Sequence, residues 1–332
     1  TFNGMNILDG SFKGKQFQIG ADSGQTLNVN VDSAAANEIG AYTFKTNVQI
    51  NGGADISDSG IDATTDTTYT ISGYKNTANI SPSDGTSARD FADLINAEQT
   101  GVEATATTKA SLTMTAAGTF SFDIGNENGD LVSTGNVDVA DASDLRGVRD
   151  AVNAVSAATG ITATMGENNG EVILTDRNGD DIGIENFNQL DNTPVMTVET
   201  LQADGSQKAS GSDNTATLDG TNADAYVTGQ VEMTSTETFN VSADNTDAGN
   251  SFVETASSSA TLSSVASIDL TTAQGAADAI KVLDSALQKI SESRSDLGAV
   301  SNRLDSTISN LTNISTNVEA ARSGIMDADF AK

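Results

Sequence analysis

Two short acidic runs carry side-chain oxygens of the kind that bind hard cations. They read NENGD at 126–130 and DRNGDD at 176–181, and both mix Asp, Asn and Gly as calcium loops do. An EF-hand loop also needs a bidentate Glu at its twelfth position, and counting from Asp176 that position is Phe187. The pattern fails there, so acidic hairpin turns are the favoured interpretation, and a calcium loop is the alternative.

The remaining residue types leave little room for catalysis. The chain has no Cys and no His, which excludes cysteine nucleophiles, Ser-His-Asp triads and the usual zinc sites. Paired carboxylates that could hydrolyse a glycoside are not marked out among the 46 Asp and Glu residues. We therefore predict a protein that is not an enzyme, with no catalytic residue, no metal and no cofactor.

The net charge and the length of the apolar runs limit the kinds of partner that the chain can bind. The 332 residues include 16 Lys and Arg, and the formal net charge is −30. A surface of that sign repels nucleic-acid phosphates. No apolar run approaches the roughly 18 residues that a membrane-spanning helix needs. We expect neither nucleic-acid binding nor membrane insertion.

One apolar seam runs through the last sixty or so residues and predicts a single long helix. Its positions step by three and four, as in a coiled coil, and no Pro interrupts them. Thr271 and Gln274 have the spacing of a capping box at its start. The predicted packing residues are Ile280, Leu283, Leu287, Ile290, Leu297, Leu304, Ile308, Leu311, Val318 and Ile325. Roughly fifty helical residues make a rod of about 75–80 Å, so we expect partner helices from another chain or from sequence beyond this one.

Strand patterns fill the first 40 residues and the long middle of the chain. The run FQIGADSGQTLNVNV alternates around a turn at Ser23 and Gly24. Low-complexity disorder is the alternative for 44–80 and 200–266, where the periodicity is weak. Three dipeptides in the middle each predict a hairpin turn, namely Asn128-Gly129, Asn169-Gly170 and Asn178-Gly179.

The middle also contains an internal repeat, at about 86–115 and 145–175. In each copy a short amphipathic helix ends at a Gly and passes directly into a strand, TGVEATA in the first and TGITATM in the second. Gly101 and Gly160 stand where a left-handed C-cap belongs. A further strand follows, SLTMT or EVILT. We predict two short-helix-plus-hairpin units within an α+β fold that ends in the long helix.

Several runs near the two ends of the chain match a known family. They are RSDLGAVSNR at 294–303, ISNLTN at 308–313, ARSGIMDADFA at 321–331, TFNGMNILDGSF at 1–12 and FQIGADSGQT at 17–26. The first three resemble the C-terminal helical region of bacterial flagellin, and the last two resemble the β segment that follows flagellin's N-terminal helices. The repeat is similar to the insertion motif of flagellins and hook-associated proteins.

The resemblance implies a secreted, extracellular subunit of the bacterial flagellar filament, which self-assembles with other flagellin subunits through terminal helices and serves swimming motility. It implies a rod domain built from 1–43 and 267–332, with variable outer regions at 44–188 and 189–266. Family members have helices before the TFNG run and a last helix after the seam. The chain is therefore expected to be a fragment lacking both, unable to polymerise by itself.

Charged residues on the flanks of the seam are the candidates for contacts with other subunits or with an innate immune receptor. They are Arg294, Asp296, Arg303, Asp305 and Arg322. For each of them a solvated helix face is the alternative, since an exposed ion pair contributes only about 0–1 kcal/mol. The alternative function is a flagellin-like cell-surface protein that binds a polysaccharide or host ligand through its middle domains.

Overall fold

The structure, a computed structural model, describes most of the chain. The described residues are 6–19, 24–51, 67–127, 131–190, 194–207, 214–245, 251–253 and 256–330. Ser23 of the predicted N-terminal turn, and the Asn128-Gly129 dipeptide, lie outside them. So does part of the NENGD run.

Twenty strands and three α-helices are found in the described residues. The strands are β1 (Lys15–Gln18), β2 (Thr26–Val29), β3 (Gly40–Lys45), β4 (Gln49–Asn51), β5 (Tyr69–Ser72), β6 (Thr77–Ile80), β7 (Glu103–Met114), β8 (Gly118–Asn126), β9 (Val132–Ser133), β10 (Val137–Val139), β11 (Thr162–Met165), β12 (Glu171–Asp176), β13 (Ile182–Gln189), β14 (Met196–Leu201), β15 (Thr215–Leu218), β16 (Ala225–Thr228), β17 (Gln230–Ser235), β18 (Asn240–Ala243), β19 (Ser258–Ser259) and β20 (Thr261–Ser264). The helices are α1 (Ala88–Ala97), α2 (Arg146–Thr159) and α3 (Ala273–Phe330), with a 3-10 turn at Val265–Ser267. The predicted α+β class is confirmed.

The chain forms two compact units. The first unit consists of residues 1–41 and 262–332, and the second consists of residues 42–261. In the first unit β1 and β2 pair antiparallel, with Phe17 opposite Leu27. Gly24, which precedes β2, has φ +93, as the predicted turn requires.

The second unit is built from antiparallel sheets. One has the strand order β10-β8-β13-β16-β4, with β9 beside β8. A second contains β11-β12-β7-β17-β3 in that order, and β14 pairs with both β7 and β15. A four-stranded sheet has the order β19-β18-β5-β6. Strands therefore form within both stretches for which low-complexity disorder was the alternative.

Two separate hydrophobic cores lie inside the second unit. Core one includes Phe120, Phe122 and the α2 residues Val148 and Val152. Core two includes Phe91 of α1, whose ring stacks on Phe252 with centroids 4.4 Å apart and planes 4° from parallel. Each short helix thus buries its apolar stripe in a core of its own.

The second repeat unit has the predicted form. Helix α2 ends at Gly160, which is left-handed with φ 75. Strands β11 and β12 then pair antiparallel around the Asn169-Gly170 turn, with Met165 opposite Val172. This hairpin prediction is confirmed.

The first repeat unit differs from its prediction in two respects. The EATA part of its TGVEATA run and the SLTM part of its SLTMT run belong to the single strand β7, because no turn-forming residue separates them. Helix α1 also ends before Gly101, with Glu98 as C-cap, and Gln99 takes the left-handed conformation at φ 50. A Cβ at Gly101 would stand 2.4 Å from a ring carbon of Tyr74, so close packing requires this glycine although capping does not.

The Asn178-Gly179 dipeptide does not form a hairpin, and that prediction was wrong. Strand β12 pairs with β11 and β7, whereas β13 pairs with β8 and β16. The turn therefore carries the chain from one sheet to another. Local turn chemistry does not distinguish these two outcomes, because sheet membership is set by distant strands.

Candidate assembly surface

Helix α3 begins one residue away from the predicted cap. The Thr272 hydroxyl accepts a hydrogen bond from the Gly275 amide at 2.9 Å, the usual reach of an N-cap to the third helical residue. Thr271 instead donates its hydroxyl to Asp269 at 2.6 Å. The prediction that Thr271 caps the helix was wrong by one position, because Asp269 already engages that hydroxyl.

The helix extends over 58 residues, which corresponds to about 87 Å at 1.5 Å per residue. Hydroxyl side chains along it, such as Thr307 and Thr312, donate to the carbonyl four residues earlier at 2.8 Å. A Cβ at Gly298 would meet nothing within 4 Å. No close contact within the described chain therefore requires a glycine at this position.

One face of α3 is buried, and only near its beginning. Among the helix side chains that the structure describes, the buried ones are Ala279 at 5%, Val282 at 6% and Ala286 at 3% exposed. They follow the helical spacing of three and four, and the helix contacts the Val265–Ser267 turn of the same unit. This packing face was not predicted. Its signal in the sequence is the spacing of small residues, which the larger apolar seam obscures.

The predicted seam is not buried in the described chain. Leu287 is 62%, Ile308 is 61% and Ile325 is 73% exposed. Ile280, Leu283, Ile290, Leu297 and Val318 are exposed as well, and Leu304 and Leu311 are partly buried. Exposure on this scale along one helix is typical of a contact surface, since apolar residues on soluble surfaces are usually scattered singly.

The seam and the buried face are different sides of α3. Val282 is buried and Leu283 is 44% exposed, and neighbours in sequence point about 100° apart around a helix axis. The seam repeats every seven residues, whereas two turns contain about 7.2, so it drifts slowly around the helix. A partner helix that follows the drift winds around α3 in a left-handed sense.

Burial of this seam would release a large free energy. Each Leu or Ile that moves from water into a packed interface contributes about 1.5–3 kcal/mol. Over the eight exposed seam residues the gain sums to about 12–24 kcal/mol, from which the entropic cost of association is subtracted. The surface is therefore suited to an extended and durable contact.

The predicted flanking charges are exposed. Arg294, Asp296, Arg303, Asp305 and Arg322 all face solvent, and within the described ranges none of them has an ion-pair partner. They are therefore available to pair with groups on another molecule. Their assignment as contacts stays a prediction.

The DRNGDD run does not form the acidic hairpin turn that was favoured. Asp176, Asp180 and Asp181 are at most 2% exposed. Asp180 is paired with Arg89 at 2.6 Å. The three aspartates of the run are buried, whereas Arg177 and Asn178 at the turn are exposed, because the turn crosses between sheets.

Neither a metal site nor a membrane span is found in the part of the chain that the structure describes. That part contains no cluster of three or more acidic or other metal-binding side chains placed to hold an ion. None of its helices is both long and apolar enough to cross a bilayer.

Comparison with known proteins identifies two segments. Residues 280–332 match the family profile of the bacterial flagellin C-terminal helical region. Residues 119–178, which include the second repeat unit, match that of the flagellin hook IN motif.

Individual relatives agree with these matches. Over its whole length the chain is 33% identical to the B-type flagellin of Pseudomonas aeruginosa and 29% identical to Flagellin A of Helicobacter pylori. It spans 66% and 68% of those two proteins. A stretch of 69 residues, 21% of the chain, is 56% identical to Polar flagellin C of Vibrio parahaemolyticus and spans 18% of that protein.

Proposed function

Because this chain belongs to the bacterial flagellin family, we propose that it is part of a structural subunit of the flagellar filament, which polymerises with further copies of itself. The subunit is exported and lies outside the cell, and the filament it forms serves swimming motility. Its role is mechanical, without catalysis and without a cofactor.

The observation that carries this proposal is the exposed apolar seam of α3. It continues from Ile280 to Ile325, and none of its ten predicted packing residues is buried in the described chain. Water-exposed Leu and Ile in such a continuous row are explained by a partner that covers them. A helical partner from the same assembly fits the heptad spacing.

The geometry of a filament agrees with a contact of this kind. A surface patch that binds a different patch on the next copy repeats without closing, and it generates an open helical polymer. The exposed charges beside the seam, such as Arg294 and Asp296, would fix the register between neighbouring rods, because opposite charges attract only at matching positions. The β-rich second unit would then face outward as the variable region of the subunit.

Electron microscopy of the whole protein tests the proposal. Filaments of the full-length subunit are dissociated by heat and allowed to reassemble on cooling, with the wild type compared with the double variant Leu287→Ser/Ile308→Ser. We expect wild-type filaments and only short or no filaments from the variant. The matched control is Leu190→Ser, which changes a leucine of the second unit that is 47% exposed, and it should assemble normally.

Two outcomes would contradict the proposal. One is the absence of filaments from the wild type under every assembly condition. The other is normal assembly of the double variant, which would mean that the seam does not contribute to the contact.

A further inference from the structure

A band of buried polar residues separates the two hydrophobic cores of the second unit. Strand β7 places Ala104 in core two and Leu112 in core one, and the fully buried Thr108 lies between them. The other members of the band are Thr46, Asn126, Asp176, Asp180, Asp181, Thr228 and Gln230, each no more than 5% exposed. Strand β7 runs through both cores and pairs with β17 on one side of the band and with β12 and β14 on the other. Polar side-chain contacts add to this shared strand across the band.

The strongest of these contacts joins helix α1 to the Asp176–Asp181 loop. The Arg89 guanidinium lies 2.6 Å from an Asp180 carboxylate oxygen, and Asp180 is almost fully buried. The Arg89 backbone amide also donates to the Gly179 carbonyl at 3.0 Å. Helix α1 packs in core two, whereas the loop follows strand β12 of core one, so this pair of bonds crosses the band.

The loop is held in place by further donors. The Asn126 amide nitrogen donates to Asp176 at 2.6 Å and to Asp180 at 3.4 Å. The Thr228 hydroxyl donates to Asp181 at 3.1 Å. Each buried aspartate thus accepts at least one hydrogen bond, which buried carboxylates require. Asp180 is therefore presented to Arg89 in a fixed position.

The repeat provides an internal comparison for Arg89. Both repeat units have an Arg-Asp dipeptide in the first turns of their helix, Arg89-Asp90 and Arg149-Asp150. In the second repeat unit Arg149 pairs with the adjacent Asp150 at 2.6 Å, and that carboxylate is 68% exposed. In the first repeat unit Arg89 lies 3.5 Å from Asp90, and it makes its short contact with Asp180 instead. The same dipeptide is a surface pair in one copy and a bridge between cores in the other.

We propose that the contact of Arg89 with Gly179 and Asp180 is a latch that makes the two cores of the second unit one cooperative structure. Removal of the Arg89 charge leaves the buried Asp180 carboxylate uncompensated, which is more costly than the loss of a pair between two exposed side chains. With the latch removed, core two opens separately while core one stays closed.

Hydrogen exchange on the intact chain tests the latch. Exchange is followed in strands β5 and β18 for core two and in strands β11 and β12 for core one. In Arg89→Met we expect core-two amides to exchange about 100-fold faster or more, with core-one amides changed far less. The matched control is Arg149→Met, which should leave the ratio of protection between the cores unchanged.

The result can overturn the proposal in two ways. If Arg89→Met accelerates exchange equally in both cores, the cores are one structure without the latch. If it accelerates neither core, the contact is dispensable. Should Arg89→Met fail to fold, Arg89→Lys retains the charge but loses the planar fork, and the same comparison between cores decides the outcome.

Discussion

The side chain of Asn153 donates a hydrogen bond to the Ala163 carbonyl at 2.9 Å and accepts one from the Ala163 amide at 2.8 Å. The side-chain amide of a helix residue thereby makes the two backbone hydrogen bonds that a neighbouring strand would make. Asn96 and Ala104 form the same pair of bonds in the first repeat unit, both at 2.8 Å. This shared clamp between helix and strand is structural support for the duplication.

Replacing either asparagine should loosen its own unit. Asn153→Ala leaves the amide and carbonyl of Ala163 without their side-chain partner, and we expect a loss of about 1 kcal/mol in the free energy of unfolding. Asn96→Ala should have a similar effect, and because the two sites lie in separate repeat units, one beside each core, the two losses should add. Urea unfolding followed by circular dichroism measures both. The exposed Asn79→Ala is the control, and a cost as large there would refute the role of the clamp.

Gly179 should tolerate no side chain. Its φ is +83, and an added Cβ would stand 2.2 Å from the Cβ of Ala106. Gly179→Ala therefore combines backbone strain of about 1 kcal/mol with a clash in the loop that holds Arg89. Gly205→Ala is the matched control, with φ +86 and nothing within 4 Å. Thermal unfolding should show a clearly larger fall in Tm for Gly179→Ala, and equal falls would contradict the packing explanation.

Tyr69 should make stability depend on alkaline pH. Burial raises the pKa of the Tyr69 phenol, although its hydrogen bonds with Ser251 and Phe252 act in the opposite direction. The folded state therefore holds this proton to higher pH than the unfolded state does. The stabilising contribution is complete below the unfolded pKa of about 10 and is lost as pH rises above it.

The measurement for Tyr69 compares the wild type with Tyr69→Phe across pH 8 to about 11. The difference in unfolding free energy between them should be constant at the lower values and should shrink above about pH 10. A difference that does not change with pH would contradict the assignment to Tyr69.

Shortening a side chain on the buried face of α3 should mainly lower stability, whereas shortening one on the seam should mainly impair filament assembly. Val282→Ala removes buried methyl groups and should cost the isolated chain about 1–3 kcal/mol, less a small gain in helix propensity. Leu283→Ala changes an exposed position and should stay within about 0.5 kcal/mol. In a filament reassembly assay the order should reverse, with Leu283→Ala the more harmful. A large loss of isolated-chain stability in Leu283→Ala would mean that the seam packs within the chain.

Local patterns in the sequence predicted the helices well. The spacing of Leu283, Leu287 and Ile290 is a property of consecutive turns, and it predicted α3 without knowledge of its neighbours. Gly160 likewise predicted the end of α2, because a left-handed residue is needed at that point whatever the helix packs against.

Features that depend on distant strands were not predictable in this way. The burial of Asp176 and Asp180 follows from the pairing of β12 with β7 and from the approach of α1, which no local pattern specifies. The Asn178-Gly179 turn is the same case, since a tight turn can join strands of one sheet or of two. The face formed by Ala279 and Val282 was missed because a small buried side chain carries a weaker hydrophobic signal than an exposed leucine.

The central claim is that the seam of α3 is covered in the assembled filament, and the absence of cysteine from the chain allows a direct measurement. Leu287→Cys and Ile308→Cys are each introduced alone into the full-length protein, and maleimide labelling is compared between dissociated subunits and filaments. Glu167→Cys, on the exposed β11–β12 turn, is the control for access of the reagent. We predict that both seam positions react in the subunit and become unreactive in the filament, while the control reacts in both. Equal labelling of the seam positions in subunit and filament would contradict the account.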